Sequence, residues 1–247
     1  MIHALALELF GTSLILPALP RLKSLRGVGI GDSDVYARML EEKFDYRNTH
    51  FHREPRLDIT NVPESENGRY DFVVSSEIFE HVAPPVEAAF HNVYRMLRPN
   101  GLLIFTTPYS LEATTLEHFP DLFEYNVARL GDHHVLVNRT RAGRVEFFDN
   151  LVFHGGPGAT LEMRVFSEND LRTMLECAGF REIRIYSEEH AQFGIVRNTS
   201  CSLPIAARKG EFTLGADAAR ELTEQWNSLM RSPWVRLGVR LRLLRGG

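Results

Sequence analysis

The 247-residue chain has only two cysteines, Cys177 and Cys201, and no CxxC pair. A disulfide framework and the common zinc modules are thereby excluded, and no metal is expected. The expectation is a reducing, cytoplasmic setting. Cys177 sits in the apolar helical pattern LRTMLECAGF and reads as a buried small residue rather than a reactive thiol. Basic charge is not in excess either. Lys and Arg total 28 against 32 Asp and Glu, a net charge of -4, so no global field draws nucleic acid. No apolar run approaches the ~20 residues that span a bilayer. The N-terminal stretch MIHALALELFGTSLILPALP is broken by Gly11 and Pro17 and carries Glu8. It reads as a short helix and a loop docked on the domain. No repeat or low-complexity tract is visible.

What is present is alternation. Leu25 to Ile30 reads as a strand that ends in a glycine turn, and Val35 to Phe44 as a helix with Asp32, Ser33 or Asp34 as N-cap. Tyr46 to His52 and Arg56 to Thr60 are candidate second and third strands. Tyr70 to Ser75 and Leu102 to Thr106 are β-branched, apolar and short, as buried parallel strands are. Between them Pro84 and Pro85 open a helix over Val86 to Leu97, which Pro99, Asn100 and Gly101 end. This order predicts an α/β fold with a doubly wound, mostly parallel sheet. The runs HHVLVN and RVEFFDNLVFH, with a turn at Arg141 to Gly143, predict an inserted hairpin. Phe166 to Gly179 reads as a helix capped by Ser167, and Phe180 to Tyr186 as a late strand. The expected organisation is an N-terminal helix and loop (1–24), a main domain (25–208) with a substrate-side insertion (110–163), and a helical basic tail (209–247).

The tail from Trp226 onward holds five arginines and no acid. Trp234, Leu237, Leu241 and Leu244 share one helical face. Packing of that face on the acidic body of the domain is the favoured expectation. Contact with anionic lipid or an acidic partner is the other.

Three motifs bear on chemistry. GVGIGD, Gly27 to Asp32, is a strand end at which glycines let the backbone approach a ligand. It is neither GxGxxG nor a P-loop, which disfavours a dinucleotide-dependent oxidoreductase. LDIT, Leu57 to Thr60, is followed after a loop by RYDFVVSSEIFEHV, and VYRMLRPNGLLIFTTPY spans Val93 to Tyr109. Together these resemble the class I S-adenosylmethionine-dependent methyltransferases. That family shows an Asp after its third strand, a strand of type FDVVxS followed by a Glu-His pair, and a helix ending RxLKPGG. The counterparts here are Asp58, Asp71 to Ser76, Glu80 with His81, and Arg95 to Gly101.

The resemblance implies a Rossmann-like sheet with S-adenosylmethionine across its carboxyl edge. Gly27, Gly29 and Gly31 would pass under the methionine portion. Asp58 would accept from the adenine amine, with Ile59 against the ring. Ser75, Ser76 and Glu77 would line the sulfonium region. The family's ribose-binding acid falls near His50 or His52 in this chain, so Glu54 or Asp32 is expected to stand in for it. On the acceptor side the candidate bases are His118 and His154, with His81 lining the pocket or orienting its loop; Glu117, His133, His134 and Asp149 are further candidates. The strand after Asp71 ends SSE, not the [DNS]PP[YF] of nucleic-acid amino-methylating enzymes. The expected acceptor is therefore a small molecule or a glycan, methylated on oxygen. The glycan association comes from LEHFPDLFEY followed by FHGGPGATLEMRVFS, an order similar to that in uncharacterised bacterial methyltransferases. The rival expectation is a non-catalytic scaffold with the same fold.

Overall fold

The computed structural model describes residues 1–196 and 202–240 of the chain. Its centre is a six-stranded sheet made of β1 (Leu22–Ile30), β2 (Phe44–Thr49), β3 (Tyr70–Ser76), β4 (Leu97–Thr106), β13 (Arg181–Ile185) and β14 (Ile205–Arg208), in the order β13-β14-β4-β3-β1-β2. The first four strands are parallel; β14 runs antiparallel to β4, and β13, antiparallel to β14, shares the direction of the first four. The order reverses at β1, where a doubly wound sheet opens a crevice at its carboxyl edge. The stretch expected as a third strand, Arg56 to Thr60, forms only an isolated bridge between His50 and Arg56. Asp58 turns back on Thr60 through its side chain, and that turn breaks the extended run that a third strand would need. β2 is consequently an edge strand.

Helices cover both faces. α3 (Glu87–Met96) and α4 (Glu168–Ala178) pack on one core with Val73, Leu103 and Phe105. α1 (Ile2–Phe10), α2 (Asp34–Lys43) and α5 (Ala216–Arg231) cover the other with Phe72, Val74 and Ile104. Alternate residues of β3 and β4 thus feed opposite cores, as the pleat requires. Ser167 caps α4, its hydroxyl accepting from the Asp170 N–H at 3.0 Å. Glu8 of α1 is buried and ion-paired with Arg208 and Arg184 at the antiparallel edge. Asp71 accepts two bonds from Arg98, at 2.8 and 2.9 Å, and one from the Arg26 N–H. These bonds tie β1, β3 and β4 together at the end opposite the crevice.

The insertion contains β5 (Tyr109–Ser110), β6 (Leu116–Glu117), β7 (Glu124–Leu130), β8 (His133–Arg139), β9 (Val145–Phe148), β10 (Phe153–His154), β11 (Thr160–Leu161) and β12 (Arg164–Ser167). β8 and β9 are the expected hairpin, and β7, which the sequence did not betray, extends it to three strands. Phe119, Leu136, Leu161 and Met163 form its small core. One buried side chain ties it to the sheet domain. Arg164 of β12 is fully buried and pairs with Glu117 at 2.6 Å. It also donates to the carbonyls of Phe79 and Val82 at 3.1 and 2.6 Å.

Two further sequence expectations are corrected. Cys177 is exposed, because it lies on the outer side of α4. Cys201 lies outside the described residues. Trp234 and Leu237 of α6 (Pro233–Arg240) are 80% and 46% exposed, so the described part of that tail face is not packed on the domain. Leu241 and Leu244 lie outside the described residues. Among the described residues no helix is long and apolar enough to cross a membrane.

Candidate active site

A cleft of about 610 Å³ opens at the carboxyl ends of the parallel strands, within the usual size range of small-molecule sites. One end is formed by the turn after β1 and the loop after β2. Gly31 has φ +72°, a conformation that favours glycine, and a Cβ there would come within 2.6 Å of Ile78 Cδ1. Asp58 lines this end, its Oδ1 accepting from the Thr60 N–H and Oγ1 at 2.9 and 2.7 Å. That turn holds the carboxylate at the mouth, with buried Ile59 and Leu57 beside it. His50, Phe51, His52 and Arg53 complete the wall.

The other end is formed by His81, Leu161 and Met163, with Ile78 standing between it and Gly31. His81 belongs both to this wall and to a cluster of ionisable side chains behind it. Glu80 is wholly buried, with Oε2 accepting from Thr107 Oγ1 at 3.0 Å. Its Oε1 has no hydrogen-bond partner. That atom lies 3.5 Å from His81 Nε2 and 3.7 Å from His154 Nδ1. His81 Nδ1 is 2.8 Å from the Leu161 carbonyl. A carbonyl only accepts, so Nδ1 carries the proton and Nε2 the lone pair. His154 Nε2 is 2.8 Å from Glu162 Oε2, which in the same way leaves the lone pair on Nδ1. His118 Nε2 donates to the other oxygen of Glu162 at 2.8 Å. Burial pushes the Glu80 carboxyl up to about 8, although the Thr107 bond pulls against it. Burial also holds His81 below the usual imidazole range.

The structure thus brings His81, His118 and His154 into one cluster, and it puts Gly31, Asp58 and Ile59 on the cleft wall. The other expected site residues do not line the cleft. Gly27 and Gly29 lie inside β1, where a Cβ would strike Phe72 and Tyr46 at the first and Asp32 and Tyr46 at the second. Their smallness serves packing under the sheet. Asp32 is buried, and its carboxylate takes bonds from the Tyr36 and Tyr46 hydroxyls. Desolvation raises it to about 6, against the pull of those two bonds. Glu54 is exposed, accepting from the Arg56 N–H at 3.0 Å. Ser75 is buried within β3, Ser76 meets Thr106 at 3.2 Å, and Glu77 accepts from Ser202. Of the further candidates, Glu117 is taken by Arg164, while His133 and Asp149 are exposed. His134 packs against Phe153.

Glu162 is the cluster member that sequence reasoning missed. It stands in TLEMR, with no motif around it, and only the fold carries it to two histidines 44 and 8 residues away.

A parallel sheet with a cleft at its carboxyl edge, an Asp-Ile turn at one end and an ionisable cluster at the other defines a class I methyltransferase architecture. Residues 27–184 match the family model described as a methyltransferase domain, well over half of the chain. The chain belongs to that family, and its cofactor class is S-adenosylmethionine. No curated protein matches it. Among solved structures, it is similar to the Burkholderia thailandensis 1,6-didemethyltoxoflavin N1-methyltransferase, determined with its substrate and S-adenosylhomocysteine. The two share 15% identity over 78% of this chain and 73% of that one, with a TM-score of 0.44. An S-adenosylmethionine-dependent methyltransferase from Clostridium acetobutylicum shares 13% identity over 75% and 84%, at 0.44. The CurJ carbon methyltransferase shares 14% over 79% of this chain but only 51% of its own, at 0.46. Likenesses of this size say nothing about the acceptor, and none lends support to a glycan.

Proposed function

We propose that this chain transfers a methyl group from S-adenosylmethionine to a hydroxyl oxygen of a small-molecule acceptor. The observation that carries the reading is the position of the Glu80–His81–His154 cluster, at the end of the cleft away from Asp58. The residues fit the cofactor. Gly31 keeps the floor of the cleft free of a side chain, Asp58 is held as an acceptor for an amine, and Ile59 offers an apolar face to a ring.

When bound, the cofactor supplies a methyl carbon activated by a sulfonium. The chain's own residues then position, desolvate and move a proton. Ile78, Leu161 and Met163 exclude water from the acceptor end, which strengthens the electrostatics inside it. The sulfonium would give up that methyl to the acceptor oxygen and keep the bonding pair, which leaves the chain the hydroxyl proton to remove. The hydroxyl proton passes to a lone pair of the cluster. His81 Nε2 is the nearest to the cleft, and Glu162 with His118 holds His154 in the matching tautomer.

A second reading, a non-catalytic module, is favoured by the absence of an acid on the wall near His50 and His52, where the ribose would lie. Calorimetric titration with S-adenosylmethionine and S-adenosylhomocysteine separates the two. Binding that is weakened in Asp58→Ala supports the enzyme. A folded chain that binds neither compound supports the module.

A further inference from the structure

We propose that Glu80 Oε1, His81 Nε2 and His154 Nδ1 form a binding site for one divalent transition-metal cation at the acceptor end of the cleft. This reverses the expectation drawn from the two cysteines and the missing CxxC pair. The three ligands come from a short helical turn after β3 and from β10, 73 residues apart, so no linear signature exists.

Three atoms that can each offer a lone pair to a cation face one another. Both histidine tautomers are fixed by their outer partners, the Leu161 carbonyl and the Glu162 carboxylate. Outer acceptors of this kind orient imidazoles that bind metals. Glu80 Oε1 is fully buried and unpartnered, while its sister oxygen is held by Thr107. An atom so placed is costly unless something positive completes it.

The separations select a cation over a shared proton. At 3.5 and 3.7 Å the pairs are too long for hydrogen bonds. Two ligands each about 2.1 Å from a tetrahedral ion stand about 3.4 Å apart. All three atoms lie within 4.8 Å of one another. Two imidazoles and one carboxylate suit Mn²⁺, Fe²⁺, Co²⁺ or Zn²⁺ better than Mg²⁺ or Ca²⁺, and three protein ligands leave positions for oxygen. Resting on the functional reading above, those positions take the acceptor hydroxyl. The cation then lowers the hydroxyl's pKa, and its proton leaves to bulk water instead of to the cluster.

The test uses the full chain, stripped with a chelator and dialysed against Mn²⁺, Zn²⁺ or Mg²⁺. The expected result is one Mn²⁺ or Zn²⁺ retained per chain, in preference to Mg²⁺. Pulsed electron paramagnetic resonance of the Mn²⁺ form should show coupling to imidazole nitrogen. Glu80→Gln and His154→Ala should each lose more than about 100-fold in affinity, and Glu162→Gln about 10-fold. His154 is partly exposed, so its variant keeps the test decisive if Glu80→Gln fails to fold, as thermal melting will show. Failure to retain a cation, retention by His154→Ala, or absence of nitrogen coupling would overturn the site. Parallel titration of the stripped wild-type chain with S-adenosylhomocysteine separates loss of this site from failure of the methyltransferase reading.

Discussion

The two ends of the cleft are built by opposite means. The Asp58 end is local: Gly31, Asp58, Ile59 and Thr60 lie in the turns that follow β1 and β2, and the shape comes from backbone turns and apolar side chains. The Glu80 end is assembled from Thr107, His118, His154 and Glu162 as well as Glu80 and His81, and its shape comes from side chain holding side chain. A locally built end tolerates change around it. An assembled end depends on whatever holds the insertion to the sheet.

The sharpest way to break that contrast is Arg164. Its guanidinium is wholly buried and joins the insertion to the carbonyls of Phe79 and Val82, which flank Glu80 and His81. Arg164→Leu strands Glu117 and two carbonyls, at an expected loss of about 4 kcal/mol in denaturant unfolding. Acceptor methylation should fall with it.

Asp32 probes the floor beneath the locally built end. Its carboxyl is raised to about 6 in the folded chain, so the folded state binds the proton more tightly than the unfolded state. This contribution is present below about pH 4 and is lost as the pH rises through 6. Wild-type stability relative to Asp32→Asn should therefore drop by about 3 kcal/mol between pH 3 and pH 7, measured by urea unfolding. A flat difference would show that Asp32 is not desolvated as described.

Glu80→Gln should lower methyl transfer about 100-fold, near the lower bound for loss of a positioned acid or base. S-Adenosylhomocysteine affinity should stay within a few-fold. A parallel loss of cofactor binding would mean that the two ends are not separable. The smallest effect belongs to Asp58→Ala: about 10-fold weaker cofactor binding by calorimetry, or about 1.4 kcal/mol, with turnover at saturation little changed.

The same contrast explains what could be read in advance. Leu25 to Ile30, Tyr70 to Ser75 and Leu102 to Thr106 announced strands because buried parallel strands are short apolar runs. Asp58 and the Glu80–His81 pair were visible because their partners in the motif are near in sequence. His118 and His154 stood out only as lone histidines, and Glu162 not at all. Their meaning depends on β10 and β11 returning to the 3-10 turn at Phe79–His81. Gly27 and Gly29 show the reverse problem. A glycine made necessary by Phe72 and Tyr46 looks, in sequence, like one that makes room for a ligand.

The strandless connection after β2, residues 50–69, has an effect far from the chemistry. With no strand beyond it, β2 presents one row of unpaired backbone groups, a template on which another chain could add. Asp45 and Arg47 alternate with the buried positions of this strand; Asp45 pairs with Arg26, and Arg47 with Glu66 and the Tyr70 hydroxyl. Any incoming strand would have to strip water from both charges. The colloidal behaviour of this protein at high concentration is thus guarded by two residues that take no part in catalysis.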